Sequence, residues 1–395
     1  MISRIIEPEV KRLATQYPVI TIVGPRQSGK TTLSRQVFPS YKYVNLENTT
    51  DQNLALSDPS GFLRKYAPPV IIDEIQRAPK LLSAIQVWVD AHKQNGSIVL
   101  TGSQQYELMQ SLSQSLAGRT AIVELLPLTI RELFDHHHKD YTIEDYLYNG
   151  FYPRIFDQQL NPTEAHSFYV STYLERDIRS LINVKDYLLF DRFLKICASR
   201  TGQLLNLSSI GNECGISHNT VNSWISLLET SFILYRVMPH FRNFSKRLLK
   251  SPKIYFYDVG LASFLLGIES PAQLKSHPLK GPLFETMVMG ELVKLRFNRI
   301  RKSNLFYFRD HTGVEIDVLL DRGAWCDPVE IKLSETIHTD FFKALKIYQK
   351  LQQQDQSRSC LIYGGKENFA IGEVEVVSFA NIEASRVVRG DGDPL

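Results

Sequence analysis

The residue order Gly24-x-x-x-x-Gly29-Lys30-Thr31 constrains this chain of 395 residues more than any other feature. It follows the apolar run VITIV and precedes a helix-forming run, so it predicts a buried strand, a loop and a helix. Glycines let backbone N–H groups turn toward phosphate oxygens, and the helix presents its positive end to the same place. The pattern therefore predicts an α/β domain whose loop binds ATP or another nucleoside triphosphate.

Two side chains of the loop have predicted chemical roles. Lys30 is expected to reach the β- and γ-phosphates as a catalytic residue, and Thr31 to place its hydroxyl on Mg²⁺. ATP and Mg²⁺ are accordingly the expected cofactors. The predicted nucleotide-binding residues of the loop are Gly24, Pro25, Arg26, Gln27, Ser28, Gly29, Lys30, Thr31 and Thr32.

A second apolar run, PPVIIDEIQ at residues 68–76, ends in two carboxylates about forty residues after the loop. Its form is that of a Walker B strand, in which Asp73 holds Mg²⁺ through water and Glu74 orients or deprotonates the attacking water. The alternative is an edge strand that runs into an acidic turn. Its spacing from the loop favours the metal role.

A third strand, SIVLTGSQQ at residues 97–105, ends in polar residues at the edge of the sheet where open α/β sheets bind ligands. Thr101 and Ser103 are therefore candidate nucleotide-binding residues that sense the γ-phosphate. Both are also suited to cap a following helix, and the sequence leaves the two interpretations open.

Arg119 lies between a predicted helix and another apolar strand. We expect it to be a candidate catalytic arginine that stabilises transition-state charge in its own or in a neighbouring subunit. A solvated surface arginine is the alternative. The role in a neighbour makes a homo-oligomer a candidate assembly.

These segments together resemble those of a known family. The stretches Gly24 to Thr32, Ile72-Asp73-Glu74, Leu100 to Ser103 and Leu116 to Arg119 are similar to those of prokaryotic AAA-type ATPases that carry a C-terminal domain of unknown function, numbered 4143. The resemblance extends over nearly the whole chain and implies a P-loop AAA-type ATPase domain over residues 1–140. In that family a second serine often follows Ser103, whereas this chain has Gln104.

Residues 141–255 are predicted to form a helical, winged-helix-like connector. The segment FYPRI at 151–155 is similar to a landmark of the family, without an assigned chemical role. Between 205 and 229, two helical patterns joined at Gly215 predict a helix-turn-helix. The residues expected to face a DNA major groove are Ser217, His218, Asn219 and Asn222. A basic stretch lies nearby in the sequence and consists of Arg242, Lys246, Arg247, Lys250 and Lys253. A joint between protein domains explains the motif equally well.

Residues 256–395 are predicted to fold as a helix, three strands, a helix and a strand. Glu330 and Lys332 are two positions apart on one strand and so share a face, and Asp317 can lie beside them on the neighbouring strand. Carboxylates that bind Mg²⁺ beside a lysine that activates water suit phosphodiester hydrolysis. Glu285 and Glu291 on the preceding helix complete the predicted metal ligands with Asp317 and Glu330.

This arrangement resembles the PD-(D/E)xK nuclease core, which implies a restriction-endonuclease-like α/β domain with Asp317, Glu330 and Lys332 as catalytic residues. The alternative is a structural acid–lysine pair in a fold without cleavage activity, since E-x-K is common on strands.

Net charge, cysteine spacing and the length of the apolar runs bear on which partners the chain can bind. The excess of 45 Lys and Arg over 42 Asp and Glu, a net charge of +3, is too small to indicate nucleic acid by itself. The four cysteines form no C-x-x-C pair and are expected to be free thiols without metal-thiolate chemistry. No apolar run approaches the roughly 18 residues of a membrane span. We expect a cytoplasmic protein with no membrane partner.

Two functions follow from the sequence. In the first, an ATPase uses its nucleotide state to control a nuclease-like domain that acts on double-stranded DNA. In the second, a nucleotide-driven switch or binding module carries an inactive nuclease-like fold.

Overall fold

The computed structural model describes residues 2–103, 114–139, 141–178, 187–240, 251–352 and 356–390. Among the residues singled out by the sequence, Gln104, Arg242, Lys246, Arg247 and Lys250 lie outside the described residues.

A parallel sheet of five strands in the order β2-β3-β4-β1-β5 forms the N-terminal part. The strands are β1 (Val19–Val23), β2 (Lys42–Asn45), β3 (Val70–Asp73), β4 (Ile98–Gly102) and β5 (Thr120–Glu124). The helices of this part are α1 (Glu7–Ala14), α2 (Lys30–Val37), α3 (Thr49–Ser57), α4 (Pro59–Lys65) and α5 (Leu81–His92). Every residue of β1, β3 and β4 is buried, because helices cover both faces of the sheet. The α/β prediction is confirmed here.

Alternate strand residues pack into two separate cores. Ile20 and Ile71 join one apolar cluster with Val10 of α1 and Leu33 of α2. Val19, Val70 and Ile72 join the other, which also takes in α4 and α5. The period of two along each strand thus places the helices on opposite faces.

The middle of the chain is mostly helical. Its helices are α6 (Ile130–His137), α7 (Ile143–Asn149), α8 (Pro153–Asp157), α9 (Pro162–Tyr169), a π-helix (Val170–Ile178), α10 (Tyr187–Ser199), α11 (Leu207–Cys214) and α12 (His218–Thr230). An antiparallel pair follows, β6 (Leu234–Val237) and β7 (Lys253–Phe256).

The two helices expected around Gly215 are present as α11 and α12. Gly215 ends α11 in the left-handed conformation with φ 72°, which glycine adopts at little cost, and Ser217 caps α12. Val221, Trp224 and Leu228 bury one face of α12. The winged-helix assignment itself stays a prediction.

The C-terminal part is built on a mixed sheet of six strands in the order β12-β13-β11-β10-β9-β8. The strands are β8 (Leu305–Arg309), β9 (Glu315–Asp321), β10 (Cys326–Lys332), β11 (Ser359–Tyr363), β12 (Phe369–Ile371) and β13 (Val374–Ser378). The helices are α13 (Val259–Leu265), α14 (Pro271–Leu274), α15 (Lys280–Phe297), α16 (Lys343–Gln352) and α17 (Arg386–Arg389). The expected order from α15 to β11 is present, and β12 and β13 extend the sheet beyond the prediction.

One apolar core runs through all three parts. The cluster that fills one face of the N-terminal sheet continues through Tyr146, Trp224 and Phe284 to Val329. Polar contacts cross the same boundaries, since the Ser263 hydroxyl donates to the Leu147 carbonyl and the Phe151 N–H donates to Asp258. Among the described residues, no helix is both long and apolar enough to cross a membrane.

Candidate functional site

The glycine loop is shaped by the two residues that bound it. Gly24 follows β1 at φ 153°, and a Cβ added there would lie 2.1 Å from the Leu125 carbonyl oxygen. Gly29 has a left-handed φ of 92° at the start of α2, an eight-residue helix that begins at Lys30. A side chain at either position would distort the loop, so the backbone between them requires glycine.

Lys30 is buried inside this loop. Its Nζ donates to the carbonyls of Gly24, at 3.0 Å, and Pro25, at 2.7 Å. Burial lowers the pKa of Lys30 to about 8, although the Glu74 and Asp73 carboxylates act in the opposite direction. The buried hydroxyl of Ser28 has no hydrogen-bond partner among the described residues. A triphosphate fits both features, because its oxygens would accept from Ser28 and neutralise Lys30.

Asp73 lies at the centre of a hydroxyl cluster at the end of β3. Its Oδ2 accepts from Thr31 Oγ1 and from the Tyr43 hydroxyl, both at 2.8 Å, and Thr101 donates to its Oδ1. A carboxylate beside the Thr31 hydroxyl is the donor set that Mg²⁺ takes in such sites. Thr101 contacts the Asp73 carboxylate, and its sensor role stays a prediction.

Tyr43 was missed by the sequence analysis. Burial and the bond to Asp73 raise its pKa above the ordinary tyrosine range, so the phenol stays protonated as a donor. Its strand, β2, pairs with β3 and places Asn45 opposite Asp73. Because that pairing is long-range, only the strand order could have pointed to Tyr43.

Glu74 adopts a left-handed backbone conformation, φ 57°, immediately after β3. Ser103 Oγ donates to Glu74 Oε2 at 3.3 Å, and Gln76 donates to the same oxygen. Gln76 also reaches Ser103 at 3.3 Å. The Glu74 carboxylate is therefore held at the end of β4 by two polar side chains, one of which, Gln76, the sequence analysis missed.

The loop opens into a cleft of about 680 Å³. One wall comes from the middle of the chain and is formed by Pro153, Arg154, Asp157, Gln158, Thr172 and Tyr173. The Arg26 guanidinium of the loop lies 5.0 Å from the centre of the Tyr173 ring. The FYPRI segment therefore contributes Pro153 and Arg154 to the nucleotide cleft, a placement that the sequence did not reveal.

Arg119 lies at the opposite edge of the sheet. Its carbonyl accepts from Val19 at the start of β1, whereas Gly24 follows the end of that strand. Five residues of strand span roughly 15 Å. Its guanidinium is held by Asp90, with Nε–Oδ1 at 2.6 Å and Nη2–Oδ2 at 2.9 Å. The prediction that Arg119 acts in its own site is therefore wrong, and a role in a neighbouring subunit stays a prediction.

Of the four predicted C-terminal carboxylates, Asp317 and Glu330 contact Lys332. Its Nζ donates to Glu330 Oε1 at 2.6 Å and to Asp317 Oδ2 at 3.3 Å, and the Ile331 N–H donates to Asp317. Burial and the neighbouring Asp317 raise the pKa of Glu330 to about 8. The second oxygen of Glu330, Oε2, is buried without a hydrogen-bond partner among the described residues. A divalent cation fits that orphaned oxygen.

Glu285 joins this cluster from α15 through a lysine that the sequence analysis had assigned to DNA. Lys253 Nζ lies 3.2 Å from Glu285 Oε1 and 2.6 Å from Glu315 Oε1. Burial lowers the pKa of Lys253, but the carboxylates of Glu285, Asp317 and Glu315 outweigh it and raise the pKa above the ordinary lysine range. Lys253 is almost fully buried, so the prediction that it belongs to a basic stretch available to DNA is wrong.

Glu291 is placed elsewhere. Its carboxylate accepts from Lys294 Nζ at 2.8 Å and from the Ile130 N–H at 2.9 Å, at the start of α6. Six residues along a helix rotate the side chain by about 240°, so Glu285 and Glu291 leave α15 in different directions. The prediction that Glu291 is a metal ligand with Asp317 is therefore wrong.

Comparison with known families divides the chain into three matched segments. Residues 16–134 match the model described as AAA domain, residues 140–272 match a domain of unknown function (DUF8612), and residues 280–382 match a domain of unknown function (DUF4143).

Relatives and solved structures are similar over much of the chain. An uncharacterized protein of Mycobacterium tuberculosis is 29% identical over 378 residues, which is 93% of this chain and 81% of the relative. An uncharacterized protein of Haemophilus influenzae is 26% identical over 62% of this chain and 68% of its own length. The Walker-type ATPase of Pyrococcus abyssi is 14% identical over 67% of this chain and 96% of its own, with a TM-score of 0.43. AMPPCP-bound DnaA of Aquifex aeolicus is 16% identical, and the match covers 57% of this chain and 86% of the DnaA chain, with a TM-score of 0.30.

The match at residues 16–134 agrees with the loop, the parallel sheet and the Asp73 cluster. The chain thus carries an AAA-type P-loop ATPase domain, followed by a C-terminal domain of unknown function (DUF4143).

Proposed function

We propose that the chain hydrolyses ATP and that its nucleotide state controls a metal-dependent, nuclease-like C-terminal domain that acts on double-stranded DNA. The observation that carries the ATPase half is the convergence of Lys30, Thr31 and Asp73 on one end of the parallel sheet. The observation that supports the second half is the cluster of Asp317, Glu330 and Lys332.

At the N-terminal site, each residue has a separate task. Thr31 and Asp73 would hold Mg²⁺, which neutralises charge on the phosphates. Lys30 exchanges its two carbonyl acceptors for phosphate oxygens. Glu74, held by Ser103 and Gln76, accepts the proton of the attacking water or fixes its direction.

A chain of buried contacts connects this loop to α6. Arg4 Nη1 donates to the Ser28 carbonyl of the loop at 2.8 Å, and Arg4 Nε donates to Glu132 of α6 at 3.0 Å. Both Arg4 and Glu132 are buried, so any movement of the Ser28 peptide is transmitted to α6 or leaves a buried charge unpaired.

Helix α15 continues the connection into the C-terminal part. Lys294 Nζ donates to the Leu128 carbonyl at 2.7 Å, and Glu291 accepts from Ile130, so both residues hold the segment that leads into α6. Glu285 on the same helix contacts Lys253 beside Asp317. One rigid helix therefore contacts the region next to the nucleotide loop and the carboxylate cluster.

At the C-terminal cluster, Asp317 and Glu330 would hold Mg²⁺, which would activate water and stabilise charge on a phosphodiester. Lys332 would position that water. The exposed polar residues at the start of α12, His218 and Asn219, support contact with DNA.

A second candidate function is a nucleotide-driven switch without cleavage. It is favoured by the ion pairing in the cluster, where each of four carboxylates already has Lys253 or Lys332 as a partner. Such a network can be purely structural.

A cleavage assay separates the two functions. Full-length protein is incubated with mixed double-stranded DNA, Mg²⁺ or Mn²⁺, and either ATP or no nucleotide, beside Asp317→Asn and Lys30→Ala variants. We expect metal-dependent cleavage that Asp317→Asn abolishes and whose nucleotide dependence Lys30→Ala removes. Absence of cleavage under every condition, with intact ATP hydrolysis, would favour the switch.

A further inference from the structure

His240, Asp321 and Cys326 meet at the end of the β9–β10 hairpin, although His240 is about eighty residues earlier in the chain than the other two. One ligand atom from each lies within 4.8 Å of the other two. The Cys326 Sγ is 3.3 Å from His240 Nε2, which is 4.0 Å from Asp321 Oδ2. Asp321 ends β9, four residues after Asp317, or roughly 13 Å along the strand, so this cluster is separate from the carboxylates around Lys332.

The geometry points to a binding site for a thiophilic divalent cation, of which Zn²⁺ is the natural candidate, coordinated by His240, Asp321 and Cys326. Thiolate, imidazole and carboxylate together form a donor set that zinc accepts and that Mg²⁺ and Ca²⁺ do not favour. A tetrahedral zinc separates its sulfur and nitrogen ligands by about 3.6 Å and its nitrogen and oxygen ligands by about 3.4 Å. Both observed distances are within about 0.6 Å of these values.

The backbone holds all three ligands in place. Cys326 and Asp321 are directly opposite each other on the antiparallel strands β10 and β9. The His240 N–H donates to the Tyr307 carbonyl of β8 at 2.9 Å. The Gly323 N–H donates to Asp321 Oδ1 at 2.7 Å, which leaves Oδ2 directed to the other ligands. The site is therefore built on strands β9 and β10 and on the segment that runs beside β8.

Access and chemistry are compatible with a bound cation. His240 and Cys326 are buried, while the Asp321 side chain is 32% exposed and opens the cluster to solvent, where water would supply the fourth ligand. Binding forms a metal–sulfur bond and releases the Cys326 thiol proton to solvent, so affinity rises with pH. The cation would cross-link the segment after β6, through His240, to the β9–β10 hairpin.

Cobalt substitution tests the site directly. Untagged full-length protein is freed of metal under a reducing agent that does not bind metals, then titrated with Co²⁺ and competed with Zn²⁺. We expect one equivalent of Co²⁺ with a thiolate-to-cobalt charge-transfer band that Zn²⁺ displaces. A folded protein that shows no such band would overturn the site.

Variants assign the ligands. Cys326→Ser should remove the charge-transfer band, and Cys360→Ser, the matched change at another buried strand cysteine, should keep it. The Asp321 side chain is partly exposed, so we expect the fold to tolerate Asp321→Asn. This variant should weaken Co²⁺ binding by more than about 100-fold, which is the largest loss expected for a residue that only hydrogen-bonds to a metal ligand. An unchanged band in Cys326→Ser, or unchanged affinity in Asp321→Asn, would contradict the proposal.

Discussion

Lys30 shows how burial changes the chemistry of a single residue. Its ammonium has two carbonyl acceptors but lies away from water, and the pKa falls to about 8. Glu330 shows the converse, since burial beside Asp317 raises the pKa of its carboxyl to about 8. In both proposed sites an ion of opposite sign would restore the charged form, a phosphate for Lys30 and a cation for Glu330.

The lowered pKa of Lys30 predicts a pH dependence of ATP affinity. ATP binds the protonated lysine, so affinity should be nearly constant below pH 7 and fall by about tenfold per pH unit above pH 8. Phosphate groups, with a pKa of about 6, do not titrate in that window. Fluorescent-nucleotide titrations from pH 6.5 to 9.5 measure the slope. Lys30→Arg is the control, because arginine stays charged; an equal slope in that variant would reject the assignment.

We expect ATP hydrolysis to depend on Glu74 and ATP binding to be independent of it. Glu74→Gln keeps the shape and the contacts to Ser103 and Gln76 but removes the base, so turnover should fall by about 10² to 10⁴ with affinity within a few-fold. Phosphate release and nucleotide binding are measured on the same preparation. The matched control is Glu47→Gln in the same cleft. Unaltered hydrolysis would remove Glu74 from the mechanism.

Helix α15 is the element that links the two candidate sites. It is eighteen residues long, and its Lys294 and Glu291 hold the Leu128–Ile130 segment while Glu285 reaches Lys253. The Lys294 ammonium also lies 3.9 Å from the centre of the Phe151 ring. Contacts at both places make the helix the structural candidate for transmitting nucleotide state.

Lys294→Met should uncouple the two parts. We expect ATP hydrolysis to remain within several-fold of the parent, while the ATP-dependent change in hydrogen exchange of β9 and β10 disappears. Because Glu291 would lose a buried partner, Glu291→Gln is measured as a second variant and thermal unfolding checks the fold. Lys346→Met on the exposed face of α16 is the control. An exchange change equal to the parent's in both α15 variants would contradict the coupling.

Contiguous motifs allowed the sequence to predict the loop, Asp73 and the pair Glu330 and Lys332. The loop follows from the spacing of its residues, Asp73 from its position at the end of a strand, and the shared face of Glu330 and Lys332 from the strand period of two. Tyr43 and Lys253 could not be found in this way, because strand pairing and helix packing bring them to their sites from elsewhere. The prediction for Glu291 was wrong because the six helical residues that separate it from Glu285 turn its side chain by about 240°, away from Asp317.

The position of Arg119 was a different kind of error. It precedes its strand, and in a parallel sheet the residue before a strand lies at the edge opposite the phosphate loop. Strand direction alone could have excluded a role in its own site. The cation cluster of His240, Asp321 and Cys326 gave no signal, since its members are more than eighty residues apart at their widest and form no ligand motif.

At the scale of the whole molecule, a continuous apolar core passes through all three parts of the chain. Parts that share a core do not move freely, so a change at the nucleotide loop must be absorbed by packed elements such as α6 and α15. The middle of the chain also forms one wall of the nucleotide cleft through Pro153 and Arg154. A nucleotide bound in this cleft would therefore contact two parts of the molecule at once.

Calorimetric titration of Mg²⁺-ATP into the full-length protein measures whether the loop from Gly24 to Thr31 binds the nucleotide. We expect one saturable site per chain, lost in Lys30→Ala and retained in Lys346→Met, whose lysine lies on an exposed helix face. No binding heat at several temperatures from well-folded protein, or equal binding by Lys30→Ala, would contradict nucleotide binding by this loop.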